Sequence, residues 1–211
     1  MDKLELIKYD LYAQDLRRIK HIDGVAESAI EIKNRHFPFI TDETALCAAY
    51  MHDFTKEYSR EQHFAIFERY GIELDDCEAR TEKLWHAKSA YALAKYVYAL
   101  DDEICTAVLY HTTGRAAMQP LEKVIYLADY IEKTRTFVDC VDVRDTYAML
   151  CEKRDKNALD SAILYSLDLT ITDLLESRRM IHKNTFEARN HLLKEGIEGQ
   201  WKRTLTNMRA Q

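Results

Sequence analysis

Only five glycines and two prolines interrupt 211 residues. A chain so seldom punctuated has few places to turn tightly, and its long unbroken stretches favour helices over hairpin-rich sheets. Between the breaks, apolar residues recur at three- and four-residue spacing. Leu84, Ala87, Ala90, Tyr91, Ala94 and Val97 share one helical face. So do Leu121, Val124, Ile125, Ala128 and Ile131, and further on Leu159, Ala162, Ile163, Leu167, Ile171 and Leu174. No alternation of period two is sustained. The reading is all-α, a bundle of roughly eight to ten helices of ordinary length. Its breaks fall at His36-Phe37-Pro38, with Thr41 or Asp42 capping the next helix, at Gly71 and Asp75-Asp76, and at the Thr112-Thr113-Gly114 loop. Pro120 stands where a first helical turn tolerates proline. With no repeat, linker or low-complexity segment, residues 1–195 read as one domain and 196–211 as a polar tail.

The formal net charge of −6 argues against nucleic-acid binding through a basic face, while leaving room for a small anionic substrate held by a few local cations. Cys47, Cys77, Cys105, Cys140 and Cys151 are odd in number, scattered and without a C-x-x-C pair. They fit a reducing cytoplasm, not a disulfide framework or zinc ribbon. Met1-Asp2-Lys3-Leu4-Glu5 is charged from the first residues, and no apolar run reaches membrane-span length. The expectation is a cytoplasmic protein with no membrane partner.

Eight histidines carry the chemical information. His52-Asp53 follows the apolar helical run Ala48-Ala49-Tyr50-Met51. Adjacent helical residues diverge by about 100°, so both reach one ion only at a helix end or inner face. His21 lies upstream, His86 opens an amphipathic helix, and His111 closes another. Asp129 interrupts the apolar run Tyr126-Leu127-Ala128, where a carboxylate is costly unless paired or metal-bound. A single such residue is ordinarily a hydrogen-bonded core group. Four histidines and two aspartates on the apolar faces or ends of separate helices point instead to a metal centre. Imidazole with carboxylate and no thiolate suits Zn, Mn, Fe or Co. His36, His63, His182 and His191 are read as structural or surface residues, and Tyr126 and Tyr130 as core.

The order His21, His52-Asp53, His86, His111, Asp129, with the phrases HIDGVAESA, MHDFTKEYS, LWHAKSA, YHTTGR, LEKVIYLADYIEKTR and FEARNHLL, resembles the HD-domain symmetrical bis(5′-nucleosyl)-tetraphosphatases, the YqeK-type family. The resemblance runs from about His21 to Leu193. It departs from the usual pattern at Lys133, where proline is common, which bears on a local turn and not on the centre.

The resemblance implies two metal ions, typically iron, with Mn or Co compatible with the same donors. His21, His52, Asp53 and Asp129 would hold one ion, Asp53 would bridge, and His86 and His111 would hold the other. Such a pair acidifies water and neutralises phosphoryl charge. Lys56, Arg115 and Arg135 are candidate phosphate contacts, with Asp53, Lys56 and Arg135 as the catalytic set. Thr112 and His111 would meet the substrate. Glu132 would orient Arg135 or a helix end, and Thr170–Arg178 would wall a nucleoside pocket. The implied activity is hydrolysis of diadenosine tetraphosphate to two ADP, and a homodimer is compatible with it. Two rivals stand beside this reading. One is an HD-type enzyme for another nucleotide, such as a mononucleotide or guanosine alarmone; the cyclic-dinucleotide branch is disfavoured by the missing GYP signature. The other is an inactive nucleotide-binding adapter.

Overall fold

The computed structural model describes residues 2–14 and 17–197. Among them are eleven α-helices and one 3₁₀ turn, with no strand. In chain order these are α1 (Lys3–Tyr12), α2 (Ile19–His36), α3 (Asp42–His52), α4 (Arg60–Tyr70), α5 (Asp76–Arg80), α6 (Trp85–Tyr96), α7 (Asp102–Tyr110), α8 (Pro120–Ile131), α9 (Val138–Glu152), α10 (Ala158–Glu176) and α11 (Lys183–Lys194). The architecture is all-α, and the short α5 takes the count one beyond the expected range.

Local chemistry places most of the boundaries. Thr41 caps α3 through its side chain, and Ser59 with Gln62 forms a capping box on α4. Asp75 with Glu78 does the same for α5, and Gln119 with Glu122 for α8, whose first residue is Pro120. Gly71 ends α4 in the left-handed region at φ 63°. α6 ends at Tyr96, so Val97 leaves the expected face and is 55% exposed.

The core is built where α2, α3, α7 and α8 meet. α8 also packs against α10, which carries α9 and α11 on its outer sides. The apolar face of α8 (Leu121, Val124, Ile125, Ala128, Ile131) is wholly buried. Each of these five side chains contributes about 1–3 kcal/mol of burial, enough to fix the helix that carries Asp129. Gly196 and Ile197 of the expected tail are described, Ile197 being buried in the same core, and residues 198–211 lie outside the described residues. All five cysteines are free. No helix of the described residues is long and apolar enough to cross a membrane.

Candidate metal centre

Six side chains from five helices converge at one end of the α2–α3–α7–α8 core. His52 is the last residue of α3 and Asp53 its C-cap; the helix geometry breaks there, so both point inward. His21 comes from the first turn of α2, His86 from the start of α6, His111 from the C-cap of α7 and Asp129 from the last turn of α8. All but Asp129 are buried.

Asp53 stands between two pairs of imidazoles. Its Oδ2 lies 3.6 Å from both His21 Nε2 and His52 Nε2. Its Oδ1 lies 3.1 Å from His86 Nε2 and 3.7 Å from His111 Nε2. Asp129 Oδ1 adds a second carboxylate to the first pair, 3.1 Å from His21 Nε2 and 3.9 Å from His52 Nε2. The donor atoms of His21, His52 and Asp53 lie within 4.8 Å of one another, and so do those of Asp53, His86 and His111.

The rings are held in the form a metal requires. His52 Nδ1 donates to Ala49 O at 2.6 Å, and His111 Nδ1 to Val108 O at 2.7 Å. His21 Nδ1 donates to Glu132 Oε1 at 3.0 Å. With the proton fixed on Nδ1, each Nε2 lone pair faces the centre. His21 Nε2, His52 Nε2 and Asp53 Oδ1 are buried without a hydrogen-bond partner. His86 Nε2 and His111 Nε2 stand 3.0 Å apart, both turned toward Asp53 Oδ1. Burial keeps the His52 ring neutral, its pKa pushed down to about 4 against the pull of Asp53 and Asp129. Burial and the Lys56 ammonium lower His86 to about 3. Asp53 behaves oppositely: burial opposes its charge, but His52, His111 and His86 outweigh it and hold the carboxyl well below the usual range. The neutral His52 and His86 rings beside the ionised Asp53 and Asp129 carboxylates, with orphaned donor atoms, fit a divalent metal.

The HD-domain family model matches residues 18–134, more than half of the chain and all six cluster residues. The chain belongs to the HD-domain family. It is 33% identical over 193 residues to the symmetrical bis(5′-nucleosyl)-tetraphosphatase of Halalkalibacterium halodurans, covering 91% of this chain and 96% of that one. With the enzyme of the same name from Bacillus subtilis it shares 34% identity over 178 residues, 83% of this chain and 89% of the other. A crystal structure of a predicted HD superfamily hydrolase involved in NAD metabolism, from Clostridium acetobutylicum, superposes with a TM-score of 0.78 at 33% identity, covering 90% of this chain and 96% of that one.

The expected phosphate contacts of this HD-domain chain divide. Lys56 reaches the cluster from a turn after α3, not from a continuing helix; its Nζ is 3.0 Å from His86 Nε2 and 3.5 Å from Asp53 Oδ1. Burial lowers its pKa, against the attraction of Asp53. Arg135 folds back on Asp129, its Nε donating to Asp129 O at 2.7 Å and its Nη2 pairing with the carboxylate. Arg115 is placed elsewhere. Both arms of its fork donate to Glu122 at 2.9 Å, and it lines a cavity away from the cluster, because buried Glu122 needs that charge. The Glu132 carboxylate orients His21 and accepts from Thr134 N–H at 2.6 Å, while its backbone carbonyl accepts from Arg135 N–H at 3.1 Å at the end of α8.

A cavity of about 680 Å³ opens beside the cluster. Lys56, His111, Thr112, Asp129 and Arg135 line its inner end, and Thr170, Leu174, Arg179 and Met180 its outer wall. Part of the expected Thr170–Arg178 stretch therefore does wall a cavity, and Tyr126 and Tyr130 line it as well.

Three groups escaped the sequence reading. Arg18 forks onto Asp53 Oδ2 through Nε at 3.0 Å and Nη2 at 2.9 Å; its position three residues before His21, on one helical face, was the available signal. Thr55, fully buried, donates to His86 O at 2.9 Å and meets Ser89 Oγ at 2.7 Å. Ser89 in turn lies 2.8 Å from His63 Nδ1, so His63, read as merely structural, supports the helix that presents His86. Gly24 has a positional reason too: a Cβ there would overlap Glu132 Oε2 and stand 3.3 Å from its Cδ.

Proposed function

We propose that this chain hydrolyses dinucleoside tetraphosphates symmetrically, diadenosine tetraphosphate giving two ADP. The observation that carries the reading is the division of Asp53, one oxygen toward His21 and His52 and the other toward His86 and His111, beside a cavity lined by cations. The names of the relatives at 33–34% identity supply the substrate class. His21, His52, Asp53 and Asp129 would hold one transition-metal ion, and Asp53, His86 and His111 a second. We assign iron on the resemblance, since the donors also suit Mn and Co.

When bound, such ions acidify water at neutral pH and withdraw charge from phosphoryl oxygens. The chain's own residues position the phosphates. The Lys56 ammonium stands over the Asp53–His86 side of the centre, and the Arg135 guanidinium over the Asp129 side. Both line the cavity, so they neutralise charge at the reacting phosphate and hold the leaving diphosphate. Thr112, one residue after His111, offers a hydroxyl and a backbone N–H to the same chain of phosphates.

Hydrolysis in ¹⁸O-labelled water tests the assignment. The expected product is ADP alone, with label in the terminal phosphate of one of each pair, and ADP inhibits competitively more strongly than AMP. ATP and AMP as main products would overturn it. Elemental analysis of protein purified without chelator should give close to two metal ions per chain, mainly iron. Active protein with only trace metal would remove the dinuclear centre from the account.

A further inference from the structure

The cavity beside the centre is not alone. A second one, of about 590 Å³, lies across a wall made by Leu84, Thr112, Thr113 and His182, four residues that line both. The end of α7 shows how thin that wall is. Tyr110 lines the second cavity, and the next residue, His111, belongs to the centre and lines the first.

The two cavities differ in chemistry. The first holds Lys56, Arg80, Lys83, Arg135 and Arg179 against Glu82 and Asp129, a cationic excess suited to phosphates even with Arg135 paired to Asp129 and Arg179 to Asp173. The second has apolar and aromatic walls in Leu109, Tyr91 and Tyr110, with Asn184 and the carboxylates of Asp75 and Glu78. Its two lysines, Lys88 and Lys183, are outnumbered by Glu73, Asp75 and Glu78, and Lys88 pairs with Glu78 at 2.7 Å. This surface repels a phosphate but suits a neutral nucleoside. Rings and aliphatic groups take the base, and amide and carboxylate groups take ribose hydroxyls.

The Asp75–Glu78–His182 group resembles a third metal cluster in spacing. Its hydrogen bonding argues otherwise. His182 Nδ1 accepts from Asn184 N–H at 3.2 Å, so in the neutral ring the proton sits on Nε2. That Nε2 faces Asp75 Oδ2 at 3.2 Å and Glu78 Oε1 at 3.6 Å without a well-directed hydrogen bond. His182, only 5% exposed, therefore bolts the wall to α5 and leaves a buried donor in the partition.

We propose that the second cavity is the subsite for the distal nucleoside of the dinucleotide. The inference rests on the symmetrical cleavage proposed above. A substrate cut at its centre has an identical nucleoside diphosphate on each side of the scissile bond. Two cavities of similar size flank a wall one residue from a metal-cluster histidine, and only one of them is cationic. The proximal diphosphate and the reacting phosphates take the cationic cavity, and the far base and ribose cross the wall into the other.

The test compares diadenosine tetraphosphate with adenosine tetraphosphate, which lacks the second nucleoside. Wild type, Tyr91→Leu and Asn184→Trp are assayed on both; the first variant removes a ring and the second fills the space. Wild type should prefer the dinucleotide, and each variant should lower kcat/KM for it about tenfold through KM, the scale of one lost base–ring contact, without changing adenosine tetraphosphate. Equilibrium dialysis with labelled ADP should approach two molecules per chain in wild type and one in Asn184→Trp. Equal losses on both substrates with weaker ADP inhibition would mean that the cavity holds the proximal nucleoside, and unchanged kinetics and stoichiometry in both variants would mean that it holds none; either result overturns the proposal. If wild type fails to cut the dinucleotide at its centre, the functional reading fails, and the ADP stoichiometry of the two proteins still decides whether this cavity binds a nucleotide.

Discussion

Gly24→Ala adds one carbon and tests how His21 is held. In an ordinary helix interior the change is favourable, by about 1 kcal/mol. In α2 the new methyl would overlap Glu132 Oε2. Glu132 has no exposed surface and is pinned by His21 Nδ1 at 3.0 Å, Thr134 N at 2.6 Å and Thr134 Oγ1 at 2.7 Å. Displacing it disturbs three hydrogen bonds worth about 1 kcal/mol each, and the helix gain offsets about one of them. The expected net loss is about 2 kcal/mol, or roughly 4–8 °C in Tm for a chain of this size. His21 also loses the acceptor that keeps its proton on Nδ1, which lowers metal affinity about 10–100-fold. Thermal unfolding and competition against a chelator of known affinity measure the two effects. In a Glu132→Ala background the obstacle is gone, so Gly24→Ala should then stabilise by about 1 kcal/mol. A Gly24→Ala protein more stable than wild type, with metal affinity unchanged, would refute the reasoning.

Three further outcomes are expected. Asp53→Ala should abolish turnover and lower metal content, whereas Lys56→Ala should keep its metal and lose about 10²–10³ in kcat; near-normal turnover and metal in Asp53→Ala would contradict the shared role of that carboxylate. Arg115→Ala should leave kcat and KM alone but destabilise the fold by about 3 kcal/mol, because buried Glu122 loses its partner; denaturant unfolding and steady-state kinetics separate the two. Glu78 sets an acid limb: burial opposes its charge, but the proximity of His182, the Lys88 ammonium and the bond from Asp75 N–H outweigh burial and lower its pKa to about 2. Because the folded value lies below the unfolded one, this stabilisation is full above the unfolded pKa of 4.5 and is lost as pH falls toward 2. Glu78→Gln should therefore flatten the pH dependence of Tm in that window, and an unchanged acid limb would count against it.

Much of this molecule was legible in the sequence because the governing interactions are local. Helix ends follow from Thr41, Ser59 with Gln62, Asp75 with Glu78, and Pro120, each acting within three or four residues of itself. The residues of the centre were legible for a related reason. A histidine or aspartate at the end of an apolar helical run has few inexpensive explanations, and His52 and His111 even find their orienting carbonyls three residues back, at Ala49 and Val108. Partners distant in sequence left no such trace. His21 and Glu132 are 111 positions apart, and only the packing of α2 against α8 brings them together, through a glycine whose missing side chain makes the room. Arg115 and Arg135 were both candidate phosphate contacts in the sequence. The tertiary structure separated them, because buried Glu122 claims one and Asp129 the other. Arg18 became part of the centre only once α2 was docked against α3. The inventory of donor groups is a property of composition and helical phase, whereas the face each group turns to its neighbours is decided by which helices pack together.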